Sequence, residues 1–126
     1  MRLLARYVAY AVACVLLASC DLDVPAIVSG DAAMSEGGKV VRTWKLSPES
    51  ITRISSWFTP RRTGWSPDFV TPSAEVSVKL STADGTALAV YLLGSTLIVS
   101  SGNRQLRQSF SASDIAAFKD AAGVSR

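Results

Sequence analysis

AEVSVKLSTADGTALAVYLLGSTLIVSSGNRQLRQSF, residues 74–110, decides the fold. At its start Val76, Val78 and Leu80 alternate with Ser77, Lys79 and Ser81, so a strand there has one apolar and one polar face. Asp84-Gly85 is a strong two-residue hairpin turn. Ala87 to Leu93 is apolar at both parities, the mark of a central strand. Gly94-Ser95 then leads into TLIVSS, and Ser101-Gly102-Asn103 leads into RQLRQSF, where Leu106 and Phe110 can face inward. Four strands in a row, each joined to the next by a short turn, make an antiparallel meander.

Outward from the meander, each flank carries a helix with a defined start. Downstream, Ser111 with Asp114 three residues on forms a capping box in which Asp replaces the usual Glu. Ile115, Phe118 and Ala122 supply the apolar stripe and Gly123 the C-cap. Upstream, KVVRTWKL (39–46) reads as a strand with Val40, Trp44 and Leu46 on one parity. Ser47 then caps a helix with Pro48 at its first position and Glu49 at the positive end of its dipole. Ile51, Ile54 and Phe58 lie at helical spacing, and Pro60 ends the run. The expected fold class is α+β. It is a small single domain over 39–126, an antiparallel meander of four to five strands with two helices packed on one face. If the helices cover the Leu88, Val90 and Leu92 side, then Ala87, Ala89, Tyr91, Leu93 and Ile98 face the other way. That second face is to be covered by the 39–46 strand and the aromatic loop, or by a partner.

The N-terminus reads in three zones. Arg2 and Arg6 come first, an uncharged stretch runs from Tyr7 to Leu17, and the small pair Ala18 and Ser19 follows. This is the layout of a secretory signal over 1–19. The uncharged run is shorter than the about 20 residues that span a bilayer comfortably. The residues Leu17-Ala18-Ser19-Cys20 resemble the lipobox of bacterial lipoproteins. The resemblance implies cleavage before Cys20, a diacylglyceryl group on its thiol and an acyl chain such as palmitate on the new amine. Two or more chains anchor stably where one does not. Cys14 follows Ala11-Val12-Ala13 and lacks the larger aliphatic residue. An ordinary cleaved signal and an uncleaved anchor are the competing readings of the same stretch. Asp21 resembles the enteric signal for retention in the inner membrane, so the expected location is the cell envelope, facing the periplasm, with the choice of membrane open.

Without the signal the charge is nearly balanced. Of thirteen Lys and Arg two leave with it, so eleven face ten acids, a balance of +1. No nucleic-acid partner is implied, because such a domain concentrates basic residues in a stripe. Residues 20–38 are rich in small, acidic and glycine residues and read as a flexible tether. Gly37-Gly38-Lys39 does not complete a phosphate loop, and the scattered acids do not form a calcium loop. The sequence has no histidine, which removes Ser-His-Asp triads and histidine-bearing zinc sites. Asp68, Glu75, Asp84 and Asp114 each sit at or beside a turn or cap, where an acid has a structural use. No catalytic residue, cofactor or metal is expected.

The stretch WFTPRRTGWSPDF, residues 57–69, is the candidate binding site. Trp and Arg are enriched in interface hot spots, and prolines limit the entropy lost on binding. In one reading Arg61 and Arg62 meet an acidic partner or an anionic glycan or lipid head group, while Trp57, Trp65 and Phe69 anchor it. In the other, the aromatics cover the core and the arginines are solvated. The expected function is a lipid-anchored envelope binding module: an inhibitor or immunity-type protein, or an accessory subunit with a protein partner. The alternative is a structural lipoprotein that binds peptidoglycan or anionic lipid.

Overall fold

A computed structural model of the protein describes residues 20–69 and 73–124. The signal expected over 1–19 lies outside the described residues. Two helices cover one face of a seven-stranded antiparallel sheet. The strands are β1 (Ile27–Glu36), β2 (Lys39–Lys45), β3 (Ser66–Pro67), β4 (Val76–Thr82), β5 (Ala87–Leu93), β6 (Thr96–Ser101) and β7 (Arg104–Ser109). The helices are α1 (Pro48–Phe58) and α2 (Ala112–Ala121). Across the sheet the order is β2-β1-β4-β5-β6-β7-β3.

The meander follows its hydrophobic period. Val76, Val78 and Leu80 of β4, and Leu88, Val90 and Leu92 of β5, are buried on the helix face. A single row crosses all seven strands there: Trp44, Ala32, Val78, Val90, Val99, Leu106 and Pro67. The neighbouring row, on the other face, is Thr43, Ala33, Ser77, Tyr91, Ile98, Arg107 and Ser66. β2 lies in the plane of the sheet and Trp57 and Trp65 belong to the helix-side core, so neither covers this second face. No helix or strand packs on it among the described residues. It mixes small residues with Tyr91 and Arg107, and Ile98 near its centre is itself buried.

The sheet has more strands than the four to five expected, and residues 20–38 are not a tether. Ile27–Glu36 pairs with β2 on one side and β4 on the other. Its own side chains hide this, because the site admits only small ones. A Cβ on Gly30 would lie 2.7 Å from Leu46 Cδ1, 2.8 Å from Leu80 Cδ2 and 3.0 Å from the Lys79 carbonyl oxygen. The strand is specified by its two neighbours rather than by apolar bulk of its own. A register shift between Met34 and Ser35 sets Arg42 opposite Met34 but Val40 opposite Ser35. Arg42 and Trp44 therefore turn to the helix side, while Val40 and Val41 stand 62% and 52% exposed instead of facing inward.

Both helices start as their caps dictate. The Ser47 hydroxyl accepts from the Ser50 N–H at 3.1 Å, and Ser111 accepts from the Asp114 N–H at 3.2 Å. At the end of α2 the Val124 N–H donates to the Lys119 carbonyl and the Gly123 N–H to that of Asp120, a Schellman ending. β2 then covers the carbonyls beyond it. Trp44 Nε1 donates to Ala122 O at 2.9 Å, and Arg42 donates to Gly123 O and Val124 O while its guanidinium lies over the Trp44 ring. A cation there also complements the negative end of the helix dipole. The helices run antiparallel, with Arg53 of α1 paired to Asp120 and Trp57 to Asp114.

The β4–β5 turn is tied by Asp84. The Thr82 hydroxyl lies 2.6 Å from both Asp84 Oδ1 and the Thr86 carbonyl oxygen and shares one proton between them. The Thr86 N–H donates to the same carboxylate at 2.9 Å. These donors, Thr82 first, hold the Asp84 carboxyl below the usual aspartate value. A depressed native value means the turn's contribution is present above the unfolded aspartate value and is lost as pH falls through the native one. Thr82→Val should raise the Asp84 midpoint in an NMR titration; an unchanged midpoint would remove the hydroxyl as the main cause. Gly30→Ala should destabilise the domain by about 1–3 kcal/mol through overpacking. Urea unfolding measures it, and a neutral result would mean that Leu46 and Leu80 yield without cost.

Candidate functional site

The 57–69 segment runs from the last turn of α1 to the loop just beyond β3 and divides into an inner and an outer half. Trp57 sits edge-on to Phe58, Phe110 and Phe118, with ring centroids 5.0–5.2 Å apart. Its indole N–H donates to Asp114 O at 3.0 Å. Trp65 is 0% exposed, packs on Phe58 and Phe110, and donates to Arg61 O at 2.7 Å. Such pairing gives a buried indole both its apolar contacts and its hydrogen-bond partner.

The two arginines have different fates. Arg61 donates from Nη1 to Trp57 O at 2.7 Å and from Nη2 to Asp114 Oδ1 at 2.9 Å, and its guanidinium lies 4.5 Å from the Trp57 ring centroid. It joins the end of α1 to the start of α2. Arg62 is exposed, and only its main chain is engaged, through a carbonyl that accepts from the Leu22 N–H at 2.7 Å. Beyond β3, Asp68 is buried, accepts from Gln105 Nε2 at 3.0 Å and donates its own N–H to Gln105 O. Phe69 then projects with 93% of its surface exposed. The structure thus keeps Arg62 and Phe69 on the outside and places Trp57, Arg61 and Trp65 in the packing.

Cys20 lies against this same segment. Its N–H donates to Trp65 O at 2.9 Å, and Leu22 enters the core. The Ala83 N–H donates to Ala26 O, so the chain from Cys20 to β1 is held at three points. Sequence reasoning missed this docking. Its signal was the alternation of exposed Asp21 and Asp23 with buried Leu22 and half-buried Val24. Gly64 turns the loop at φ +85°, and a Cβ there would meet Gln108 Nε2 at 2.8 Å.

The four acids singled out for their chemistry are spread over the molecule. Asp68 binds Gln105, Glu75 accepts from the Gly94 N–H, Asp84 ties its turn and Asp114 holds Arg61. No cluster of three or more metal-ligating side chains occurs among the described residues. No helix among them is long and apolar enough to cross a membrane. Comparison with protein-family models, curated proteins and solved structures finds no match to this chain.

Consecutive arginines with unlike surroundings give a direct test. Arg61→Ala should cost about 1–2 kcal/mol, since it removes charge-assisted hydrogen bonds and a ring contact at a partly solvated site. Arg62→Ala should stay within about 0.5 kcal/mol. Chemical denaturation of the two variants decides; equal losses would refute the division into halves.

Proposed function

We propose that this protein is a lipid-anchored binding module of the bacterial cell envelope, held at Cys20, facing the periplasm and without catalytic activity. It acts as an inhibitor or immunity-type protein, or as an accessory subunit of an envelope complex, and Asp21 points to the inner membrane. The observation that carries this reading is the placement of its exposed apolar side chains. Val28, Val40 and Val41 belong to the β1–β2 hairpin at one edge of the sheet, and Phe69 lies at the opposite edge, four residues past the Trp65 that bridges to Cys20. Six inter-strand steps of ~4.8 Å separate β2 from β3, roughly 29 Å in a flat sheet. The edge remote from the anchor is where a protein partner has access, and an exposed apolar edge offers it contact area. The Cys20–Leu22 docking makes the domain a fixed platform for that edge, which lowers the entropy lost on binding.

A second reading, a structural lipoprotein that binds peptidoglycan or anionic lipid, is favoured by the exposure of Arg62 and Phe69 on the segment against which Cys20 and Leu22 dock. Photocrosslinking in cells separates the two. A crosslinker at Val40 or Val41 should capture one folded envelope protein, and one at Arg62 should not. Capture of cell wall or lipid from Arg62, with nothing specific from the hairpin, would favour the structural reading.

A further inference from the structure

We propose that the β3 edge of the sheet is a bilayer-contact surface, with Phe69 seated in the interfacial layer of the membrane that holds Cys20. The inference rests on Cys20 being acylated. It follows from the absence of slack between that residue and the folded domain. The Cys20 N–H is bonded to Trp65 O, the Leu22 N–H to Arg62 O, and the Leu22 side chain is buried. Cys20 is half-buried against the core beside Trp65, so acyl chains on its thiol emerge at the surface next to that residue, and that surface faces the lipid.

That surface carries the most exposed large apolar side chain among the described residues. Phe69 follows Trp65 by four residues, so its Cα lies at most about 14 Å from that of Trp65, the residue bridged to Cys20. The intervening residues are laid along the sheet, with Ser66 opposite Arg107, Pro67 opposite Leu106 and Asp68 bonded to Gln105. Phe69 thus sits on a short, braced segment at the anchor's own edge. A 93% exposed phenyl ring is unfavourable in water and favourable at the headgroup–acyl boundary.

Charge does not choose the lipid. The exposed cations Arg62, Arg104 and Arg107 are largely offset by the exposed acids Asp21 and Asp23, which leaves a balance of +1. With so small a balance the contact is mainly apolar, and it should form on zwitterionic as well as on anionic vesicles. It also sets the orientation of the domain, with β2 pointing away from the membrane.

The test uses the full, processed protein in phosphatidylcholine vesicles and in vesicles containing phosphatidylglycerol. A nitroxide is placed at Phe69→Cys or, at the far edge, at Val41→Cys, each being the free thiol when Cys20 carries lipid. The expected result is loss of collisions with a water-soluble nickel chelate, and gain of collisions with oxygen, at the first site alone and in both lipids. Equal nickel accessibility at the two sites, with acylated Cys20 shown by mass, overturns the orientation and leaves the anchor standing. Protection only on the anionic vesicles overturns the apolar contact in favour of an electrostatic one. A mass showing unmodified Cys20 removes the anchor reading and this one with it. Gly-Ser residues inserted between Asp21 and Leu22 should abolish the protection while the thermal unfolding transition persists; protection that survives the slack also counts against the proposal.

Discussion

An indole buried in an apolar interior needs both close apolar neighbours and an acceptor for its N–H, and this domain meets that demand at the points where its elements join. Trp44 donates to the carbonyl just past α2, Trp57 to a carbonyl in the first turn of α2, and Trp65 to one just past α1. The acceptors are fixed main-chain groups. Each indole therefore sets the position of a helix end relative to a strand, a loop or the other helix, as well as filling volume. Trp57 and Trp65 extend through Phe58, Phe110 and Phe118 into one aromatic cluster. The apolar row from Trp44 to Leu106 is closed under both helices by these few contacts. With no disulfide available to the described cysteine, this packing stands where small exported domains often use a covalent staple.

The parts legible in the sequence were those in which one residue's chemistry speaks for itself. Val76, Val78 and Leu80 declare a face by alternation, and Ser47-Pro48 and Ser111 declare helix starts by their hydrogen-bonding capacity. β1 was not legible. Gly30 is there because Leu46 and Leu80 fill the space, and that information lies in residues 16 and 50 positions away from it. The candidate site shows the same limit more sharply. Arg61 and Arg62 are identical neighbours, and so, locally, are two loop aromatics four residues apart. Only the arrival of Asp114 over α1, and of Leu22 beneath the loop, assigns one of each pair to the interior and the other to solvent. The exposure of Val40 and Val41 likewise depends on the bulge at Val41 between β2 and β1, which the alternation within β2 does not show.

The ionic contacts serve the same joints. Arg53 with Asp120 and Arg61 with Asp114 link the two helices along their antiparallel length, and Arg42 stands at the end of α2. Such partly solvated pairs contribute little each to stability. What they specify is register, because sliding α2 along α1 would carry Asp120 away from Arg53 and Asp114 away from Arg61, just beyond α1.

Were the protein anchored as proposed, the shift between Met34 and Ser35 would bear on how its copies meet in one membrane. A protein confined to a plane meets its own kind at high effective concentration and in a common orientation. An uninterrupted outer strand would then invite lateral zippering, edge to edge, into ribbons. Here the outer strand is kinked at Val41 and carries Lys39 and Lys45 near its two ends, so its main chain offers no long, even row of donors and acceptors. The interruption that leaves the two valines in water also breaks the even edge that such zippering needs.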